Sequence, residues 1–229
     1  MILHEIYKTL FTRYGDLNWW PAKTPYEVIV GAVLTQNTAW NNVEKAIENF
    51  SDNLTPEYVE NASIETLIKI IRPSGFFNQK AVYLKAVTAW YKQYGYSAVT
   101  VQKYPLDQMR KELLTVKGVG YETADSILLY AYGYPTFVVD AYTKRLFERL
   151  NIDVKLDYNS IKTYVENEIL PDTIVYSNLH ALIVANAKEH CRKKPICNGC
   201  PLMGECEERR TRKSIMDRSE ILKEVENDA

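Results

Sequence analysis

Residues 113–140 read LLTVKGVGYETADSILLYAYGYPTFVVD and are the most informative segment of the sequence. It contains the end of an apolar helix, a Gly-Val-Gly turn, a second amphipathic helix, an apolar run and an aspartate. Gly118 and Gly120 permit positive φ and carry no side chain, so the turn at Val119 can approach another surface closely. The pattern predicts two helices joined by a tight turn within residues 106–132.

The turn is suited to hold a phosphate group. The helix after Gly120 begins with N–H groups that lack helical partners, its dipole adds positive charge, and Lys117 lies beside it. Backbone amides and lysines of this kind hold a nucleic-acid backbone without reading its sequence. The phosphate candidates are therefore Lys117, Gly118, Val119 and Gly120. The simpler alternative is a corner where glycines only end a helix.

The rest of the chain also has helical periodicity, and alternating strand patterns are hard to find. Thr24-Pro25-Tyr26-Glu27 is a capping-box sequence before a buried apolar run, and Thr55-Pro56 starts another helix. Ile2, Ile6, Leu10 and Phe11 form an N-terminal stripe. The sequence therefore predicts an all-α chain, with further helices near 39–51, 63–72, 78–93, 106–116, 121–132, 141–150, 158–168 and 176–189.

Composition limits the classes of function. The 229 residues are 46% hydrophobic, ample for a buried core, and the formal net charge of −1 argues against general attraction to nucleic acid. Residues 188–213, however, carry eight Lys and Arg against four Glu. The N-terminus has neither a signal-peptide core nor a membrane span. We expect an intracellular, cytoplasmic and nucleoid-associated monomer with no membrane partner.

LLTVKGVGYETADSI resembles the helix-hairpin-helix of the endonuclease III superfamily of DNA glycosylases, and Asp140 stands where that superfamily has a catalytic aspartate. VGAVLTQNTAWNNV and IRPSGFFNQKAVYL match the same pattern, so the resemblance extends to Cys206. It implies a partner, double-stranded DNA with a damaged base. It also implies a two-domain fold, with a helical barrel over 22–133, a second domain of 1–21 and 134–213, and a tail of 214–229 outside the resemblance.

Four cysteines lie within sixteen residues, in the spacing C-x5-C-x2-C-x5-C: Cys191, Cys197, Cys200 and Cys206. Clustered thiolates in an intracellular protein indicate zinc or an iron–sulfur cluster, and the spacing alone does not choose between them. The resemblance implies the structural [4Fe-4S] loop of the superfamily, although the first gap is one residue shorter than usual. By the same resemblance Lys193 and Lys194 contact DNA phosphates; otherwise they form a solvated charge run.

Two carboxylates carry the predicted chemistry. Asp140 precedes a helix and is an N-cap by position; the resemblance makes it catalytic, where it stabilises an oxocarbenium-like sugar and orients water. Glu122 occupies the position at which strand-cleaving relatives carry a lysine that forms a Schiff base. A carboxylate cannot form that imine, so we expect a monofunctional enzyme, with Lys117 or Lys144 able at most to supply weak lyase activity. Glu122 either contacts the base or only complements the helix dipole.

Chemistry on a base in duplex DNA requires that its nucleotide be flipped out of the helix. A side chain must then fill the gap in the duplex, and a pocket must bind the base. By resemblance Gln36 and Asn37 fill the gap, and Trp19, Trp20 and Trp40 form the receiving walls, although tryptophans are more often packing residues. NWWPAKTPYEVIVGAVLTQNTAW with GVGYETADSI resembles the 3-methyladenine DNA glycosylase III branch, which need not keep the cysteines. That resemblance implies alkylated purines such as 3-methyladenine and 7-methylguanine, whose positive charge favours aromatic faces.

Other functions stay open at this level. The enzyme could act on mismatched uracil or thymine, on mispaired adenine, or on oxidised pyrimidines with AP lyase activity. From a different class, the chain could be a DNA-binding scaffold or a redox protein that uses its cluster. Asp140 separates these classes, because a pure binder needs no carboxylate after the hairpin. His180, in an apolar helix, is predicted to be an ordinary core residue.

Overall fold

The computed structural model describes residues 3–207, and no β-strand occurs among them. The all-α prediction is confirmed. The Ile2 end of the N-terminal stripe, residues 208–213 of the predicted second domain and the predicted tail 214–229 lie outside the described residues. The helices are α1 Leu3–Tyr14, α2 Pro25–Leu34, α3 Trp40–Glu48, α4 Pro56–Asn61, α5 Ile64–Ile70, α6 Phe77–Lys92, α7 Ala98–Val101, α8 Leu106–Leu113, α9 Tyr121–Ser126, α10 Ala141–Arg149, α11 Tyr158–Glu168 and α12 Thr173–Glu189.

The chain divides into two compact units. One is Trp20–Val138, and the other combines Met1–Trp19 with Val139–Ala229. The domain limits of 22–133 and 1–21 with 134–213 stay a prediction, because compactness does not show that each part folds by itself. No helix among residues 3–207 is long and apolar enough to cross a bilayer.

The Trp20–Val138 unit has its own hydrophobic core, drawn from α2 to α9. Helix α2 is buried along nearly its whole length and packs against α6 and α9. It starts where the sequence predicts, because Thr24 Oγ1 accepts the Glu27 N–H at 3.1 Å and Pro25 needs no hydrogen-bond partner.

The second unit is built around α12. Helices α1 and α10 both pack against it, and its buried residues include Leu179, Leu182 and Ile183. Helix α12 begins three residues before the predicted position 176, since the Asp172 carboxylate accepts the Val175 N–H at 2.9 Å and caps the helix there.

Three local features differ from the sequence prediction. The helix predicted over 39–51 ends at Glu48 and is followed by a short 3-10 turn, Ser51–Asn53. Helix α7 is a single turn that the periodicity does not predict. The helix predicted over 121–132 is α-helical only over α9 and continues as a π-helical segment, Ile127–Ala131. Such segments are uncommon and frequently lie at functional sites.

Candidate active site and cysteine loop

The hairpin turn has one glycine that the backbone requires. Gly118 has φ +86°, and a Cβ built on it would lie 2.1 Å from Cγ of Tyr83. Gly120 has φ −95°, and nothing lies within 4 Å of the corresponding Cβ. Gly118 is therefore needed for both conformation and space, whereas Gly120 leaves the start of α9 open to an approaching group. Lys117 beside the turn is exposed.

A buried ion pair fixes the angle between the two hairpin helices. Arg110 on α8 donates from Nε and Nη2 to the two carboxylate oxygens of Asp125 on α9, at 2.8 and 3.0 Å. Asp125 is fully buried and also accepts from Thr136 Oγ1 at 3.2 Å. Since two parallel hydrogen bonds resist rotation, the pair links the two helices in a specific orientation.

The two predicted gap-filling residues have different surroundings. Gln36 Nε2 donates to Gly118 O and to Thr123 Oγ1, both at 2.9 Å, so its amide group is bound to the hairpin. Asn37 is exposed, with φ +51°. The structure thus joins the loop after α2 to the hairpin through Gln36 and leaves the Asn37 side chain accessible.

Lys80 anchors the same loop from the other side. Its ammonium is almost fully buried and donates to Leu34 O at 2.8 Å, Thr38 Oγ1 at 2.7 Å and Ser74 O at 2.7 Å. Burial lowers the pKa of Lys80 to about 8. The residue ties the C-terminal end of α2 to α6, a contact that the sequence pattern does not indicate.

Trp20 and Trp40 form one aromatic cluster with Tyr130. The Trp20 ring lies 5.7 Å from that of Trp40, nearly perpendicular to it, and 4.8 Å from that of Tyr130. Trp20 also passes close over α2, because a Cβ on Gly31 would lie 3.3 Å from Cζ2 of the indole. Tyr130 belongs to the π-helical segment, and no pattern in the sequence marks it.

Glu122 is in the first turn of α9 and its side chain is exposed. That position satisfies the helix dipole and is also accessible to a ligand. Both predicted roles of Glu122 therefore stay predictions.

Asp140 caps α10 and is buried, with 8% of its surface exposed. Its Oδ1 accepts from Thr143 N at 2.7 Å and from Thr143 Oγ1 at 2.9 Å. Its Oδ2 lies 3.6 Å from Nε2 of His180. Burial raises the pKa of Asp140, but His180 and Thr143 outweigh it, and the pKa falls below its ordinary range. The carboxylate is therefore a buried anion at neutral pH.

His180 and Trp19 accompany Asp140 in the same unit. His180 is buried on α12, and the Trp19 ring meets its imidazole edge-on at 6.2 Å between centroids. The Lys188 ammonium lies 5.2 Å from the centroid of Trp19. His180 lies in the core, as predicted, but its proximity to Asp140 goes beyond the predicted ordinary core role and could not be read from residues so far apart in sequence.

The predicted site residues therefore fall into two groups. The unit with α12 contains Asp140, Trp19, the four cysteines, Lys193 and Lys194. The other group belongs to Trp20–Val138 and consists of Trp20, Gln36, Asn37, Trp40, Lys117, Gly118, Val119, Gly120 and Glu122.

The cysteine loop follows α12 and is tied to the helix that Asp140 caps. Arg149 on α10 donates from Nη1 to Cys191 Sγ at 3.1 Å and to Arg192 O at 2.8 Å. Arg145 Nε donates to Cys191 O at 2.7 Å, and Cys206 Sγ donates to Arg149 O at 3.6 Å. Lys193 and Lys194 are exposed in this loop.

The four side chains are of the type that binds zinc and iron–sulfur clusters as thiolates. All four cysteines are free thiols. Burial raises the pKa of the Cys200 thiol, and this outweighs the backbone N–H of Leu202, which lowers it. The Asn186 Nδ2 is buried without a hydrogen bond, while Asn186 Oδ1 accepts from Cys200 Sγ at 3.8 Å. Within residues 3–207, no three His, Cys, Asp or Glu side chains are grouped as ligands of a single metal ion.

Comparison with known proteins identifies the family. Residues 30–168 match the HhH-GPD superfamily of base excision DNA repair proteins. The chain belongs to the HhH-GPD superfamily. A protein of Methanocaldococcus jannaschii, whose name proposes it to be a DNA repair glycosylase, is 47% identical over 210 residues, which cover 90% of this chain and 96% of the relative. The chain is accordingly a DNA glycosylase of the HhH-GPD base excision repair family.

Two solved HhH-GPD structures are similar to it. The 3-methyladenine DNA glycosylase MagIII of H. pylori, bound to 1,N6-ethenoadenine, superposes with a TM-score of 0.72 at 27% identity, covering 82% of this chain and 98% of MagIII. A trapped covalent complex of endonuclease III with DNA gives a TM-score of 0.77 at 23% identity, covering 93% and 99%. The predicted resemblance and the predicted helix-hairpin-helix glycosylase fold are both confirmed.

Proposed function

We propose that this chain is a monofunctional DNA glycosylase that hydrolyses the N-glycosidic bond of alkylated purines, among them 3-methyladenine and 7-methylguanine, in duplex DNA. The observation that carries the proposal is the buried anion of Asp140, held by Thr143 and His180. A buried carboxylate that keeps its negative charge strongly stabilises a positive charge that develops beside it.

The chemical step follows from that charge. As the bond between sugar and base breaks, the sugar acquires oxocarbenium character, and the Asp140 carboxylate stabilises the positive charge. A water molecule oriented by the same carboxylate then adds to the sugar carbon and gives up one proton to that carboxylate, which releases it to solvent. Asp140 forms no bond to the base, and the leaving group departs with the electrons of the broken bond.

The absence of strand cleavage is part of the proposal. A Schiff base requires an amine, and residue 122 offers a carboxylate in the exposed first turn of α9. Glu122 instead supplies negative charge near an electron-poor base. The product is an intact strand with an abasic site.

The substrate class is supported by aromatic side chains and by charge. N3- or N7-alkylation makes a purine cationic, and aromatic faces attract cations. Trp20 and Trp40, together with Tyr130, offer such faces in one unit, and Trp19 offers another in the second unit. The similarity to MagIII, at 27% identity over 98% of that protein, adds independent support. A cationic base is already a good leaving group and needs no strong general acid.

The remaining residues serve the DNA. Lys117 and the amides of Gly118 and Gly120 hold phosphates at the hairpin, and Lys193 and Lys194 hold others. The predicted contact through the Val119 amide is not kept, because Val119 is buried and its N–H donates to Val116 O at 3.0 Å. Asn37, with its accessible side chain, fills the gap left by the flipped nucleotide, while Gln36 joins that loop to the hairpin. We propose that a monomer binds the duplex.

We also propose that Cys191, Cys197, Cys200 and Cys206 hold a [4Fe-4S] cluster. A bound cluster supplies structural cross-linking of the loop rather than chemistry on the base. Arg149 donates from Nη1 to the Cys191 sulfur, which compensates thiolate charge, and from Nη2 to Lys193 O at 3.2 Å, which holds the backbone of the basic segment. To distinguish a zinc site from the cluster, iron, acid-labile sulfide and zinc are measured in the protein purified without oxygen.

The test is identification of the bases that the purified protein releases from methylated duplex DNA. The same assay is applied in parallel to duplexes that contain a uracil mismatch, a thymine mismatch, a mispaired adenine or an oxidised pyrimidine. We expect free 3-methyladenine or 7-methylguanine, strand breaks only after alkali, and no covalent complex on borohydride reduction. Asp140→Asn is expected to lower release at least 1,000-fold (about 4 kcal/mol) with DNA affinity nearly unchanged.

Other outcomes reject defined parts of the proposal. Release of uracil, thymine, adenine or an oxidised pyrimidine instead would keep Asp140 and discard the cationic substrate. A borohydride-trapped complex would show lyase chemistry through a lysine. No release from any duplex would leave DNA binding or electron transfer as the function.

A further inference from the structure

A second buried titratable side chain lies beside Asp140 and has no part in the proposed chemistry. His180 is 6% exposed, and its Nε2 lies 3.6 Å from Oδ2 of Asp140. We propose that His180 is a positioning residue, which fixes the second oxygen of the Asp140 carboxylate and holds the group as an anion for reaction. The inference rests on the proposed function of Asp140.

The two oxygens of Asp140 have different partners. Oδ1 accepts both hydrogen bonds from Thr143, which lies in the first turn of the same helix. A carboxylate anchored at one oxygen can still turn about its Cβ–Cγ bond, since this torsion is broad. His180, on α12, contacts Oδ2 and supplies the second anchor. At 3.6 Å the contact is slightly longer than a hydrogen bond, as catalytic contacts often are before substrate binds.

The imidazole is itself held in place. His180 lies in the buried face of α12, which packs against α1 and α10. Trp19 meets the imidazole edge-on, with an interplanar angle of 89° and a centroid distance of 6.2 Å. A rigid imidazole can therefore fix the carboxylate, which an exposed and rotating side chain could not do.

Three other cationic side chains on these helices contact groups other than Asp140. Lys188 on α12 lies over the Trp19 ring, and Arg13 on α1 pairs with Glu189 at 2.9 Å. On α10, Arg145 donates to Cys191 O. Among the described residues, the groups that lower the pKa of Asp140 are His180 and Thr143, and they act against burial. Without His180, only Thr143 counteracts the effect of burial, so the pKa of Asp140 rises and the carboxylate is protonated already at a higher pH.

The experiment compares His180→Leu and His180→Gln with the wild-type protein. The titration midpoint of Asp140 is measured by carbon NMR of 13Cγ-labelled aspartate, assigned with Asp140→Asn, and needs no substrate. The rate of base release from methylated duplex is measured as a function of pH. Gln keeps an N–H donor near the position of Nε2, whereas Leu keeps the volume and removes the donor.

We expect the Leu variant to raise the Asp140 midpoint by at least one pH unit. The acid side of its rate profile moves by the same amount, which is about a tenfold loss of rate below the new midpoint with a smaller loss at high pH. The Gln variant is expected to lie between Leu and wild type. Two controls are Leu182→Ala, which makes a cavity in α12, and His4→Leu, which removes an exposed histidine; neither should move the midpoint.

The two proposals fail in different ways. If Asp140→Asn keeps base release, the proposed role of Asp140 is wrong, and that of His180 falls with it. If Asp140→Asn is inactive and His180→Leu keeps both the wild-type midpoint and the wild-type rate profile, only the role of His180 is wrong. Where the Leu variant does not fold, His180→Asn, which is polar but too short to reach Oδ2, decides by the same midpoint.

Discussion

At the scale of single residues, backbone conformation distinguishes positions that look alike in the sequence. Gly118 and Gly120 frame the same turn, yet only Gly118 has positive φ and a neighbour that excludes a side chain. Two aspartates differ in the same way: both cap a helix, but Asp157 is partly exposed whereas Asp140 is buried. The environment, rather than the residue type, decides which position can carry chemistry.

The two glycines provide a matched pair of variants. Gly118→Ala is expected to destabilise the protein by about 2 kcal/mol or more, because alanine is strained at φ +86° and its Cβ collides with the ring of Tyr83. Gly120→Ala should cost less than about 1 kcal/mol, since its Cβ meets nothing. Urea denaturation of both variants measures the difference, and equal destabilisation would contradict the geometry described for the turn.

At the scale of elements, local chemistry made much of the fold predictable. Thr24 with Pro25 starts α2, and the Gly-Val-Gly turn separates α8 from α9, because caps and turns depend on adjacent residues. The π-helical segment Ile127–Ala131 was not predictable, since its bonding follows from packing against other helices. The same holds for the site, because Asp140 was found by its motif, while His180, Tyr130 and Lys80 depend on contacts between distant segments.

Lys80 gives a prediction about the junction of α2, α6 and the loop between α2 and α3. Its pKa falls from 10.5 in the unfolded chain to about 8 in the folded protein. Below pH 8 both states bind the proton, and the cost of burying the charge is fully present. Between pH 8 and 10.5 only the unfolded chain keeps it, so this residue makes the free energy of unfolding rise with pH, by up to about 3 kcal/mol.

The measurement compares the wild-type protein with Lys80→Met in urea at several pH values from 7 to 10.5. Other groups titrate in both proteins, so the difference between the two curves isolates Lys80. We expect the wild type to gain stability relative to the variant as pH rises through 8. Parallel curves, or a relative loss, would show that the buried ammonium keeps its ordinary pKa.

At the scale of the whole molecule, each unit has a separate source of stability. The core of Trp20–Val138 is formed by its own residues, from Tyr26 to Tyr132. In the other unit, the described part of the cysteine loop, 191–207, buries only Cys191 and Leu202. A loop that buries so few side chains depends on cross-links, which the four thiols can provide.

Removal of the proposed cluster should therefore affect the two units differently. We expect oxidation and chelation of iron to increase amide hydrogen exchange over residues 191–206 and at the C-terminal end of α10, where Arg149 bonds to the loop. Exchange in the core of Trp20–Val138 should stay within twofold of its original rate, because no cysteine belongs to that core. The control is Cys200→Ser, which should resemble the chelated protein before any treatment. Unchanged exchange in the loop would show that the thiols do not hold it through a metal group, whereas increased exchange in both units would show that they unfold together.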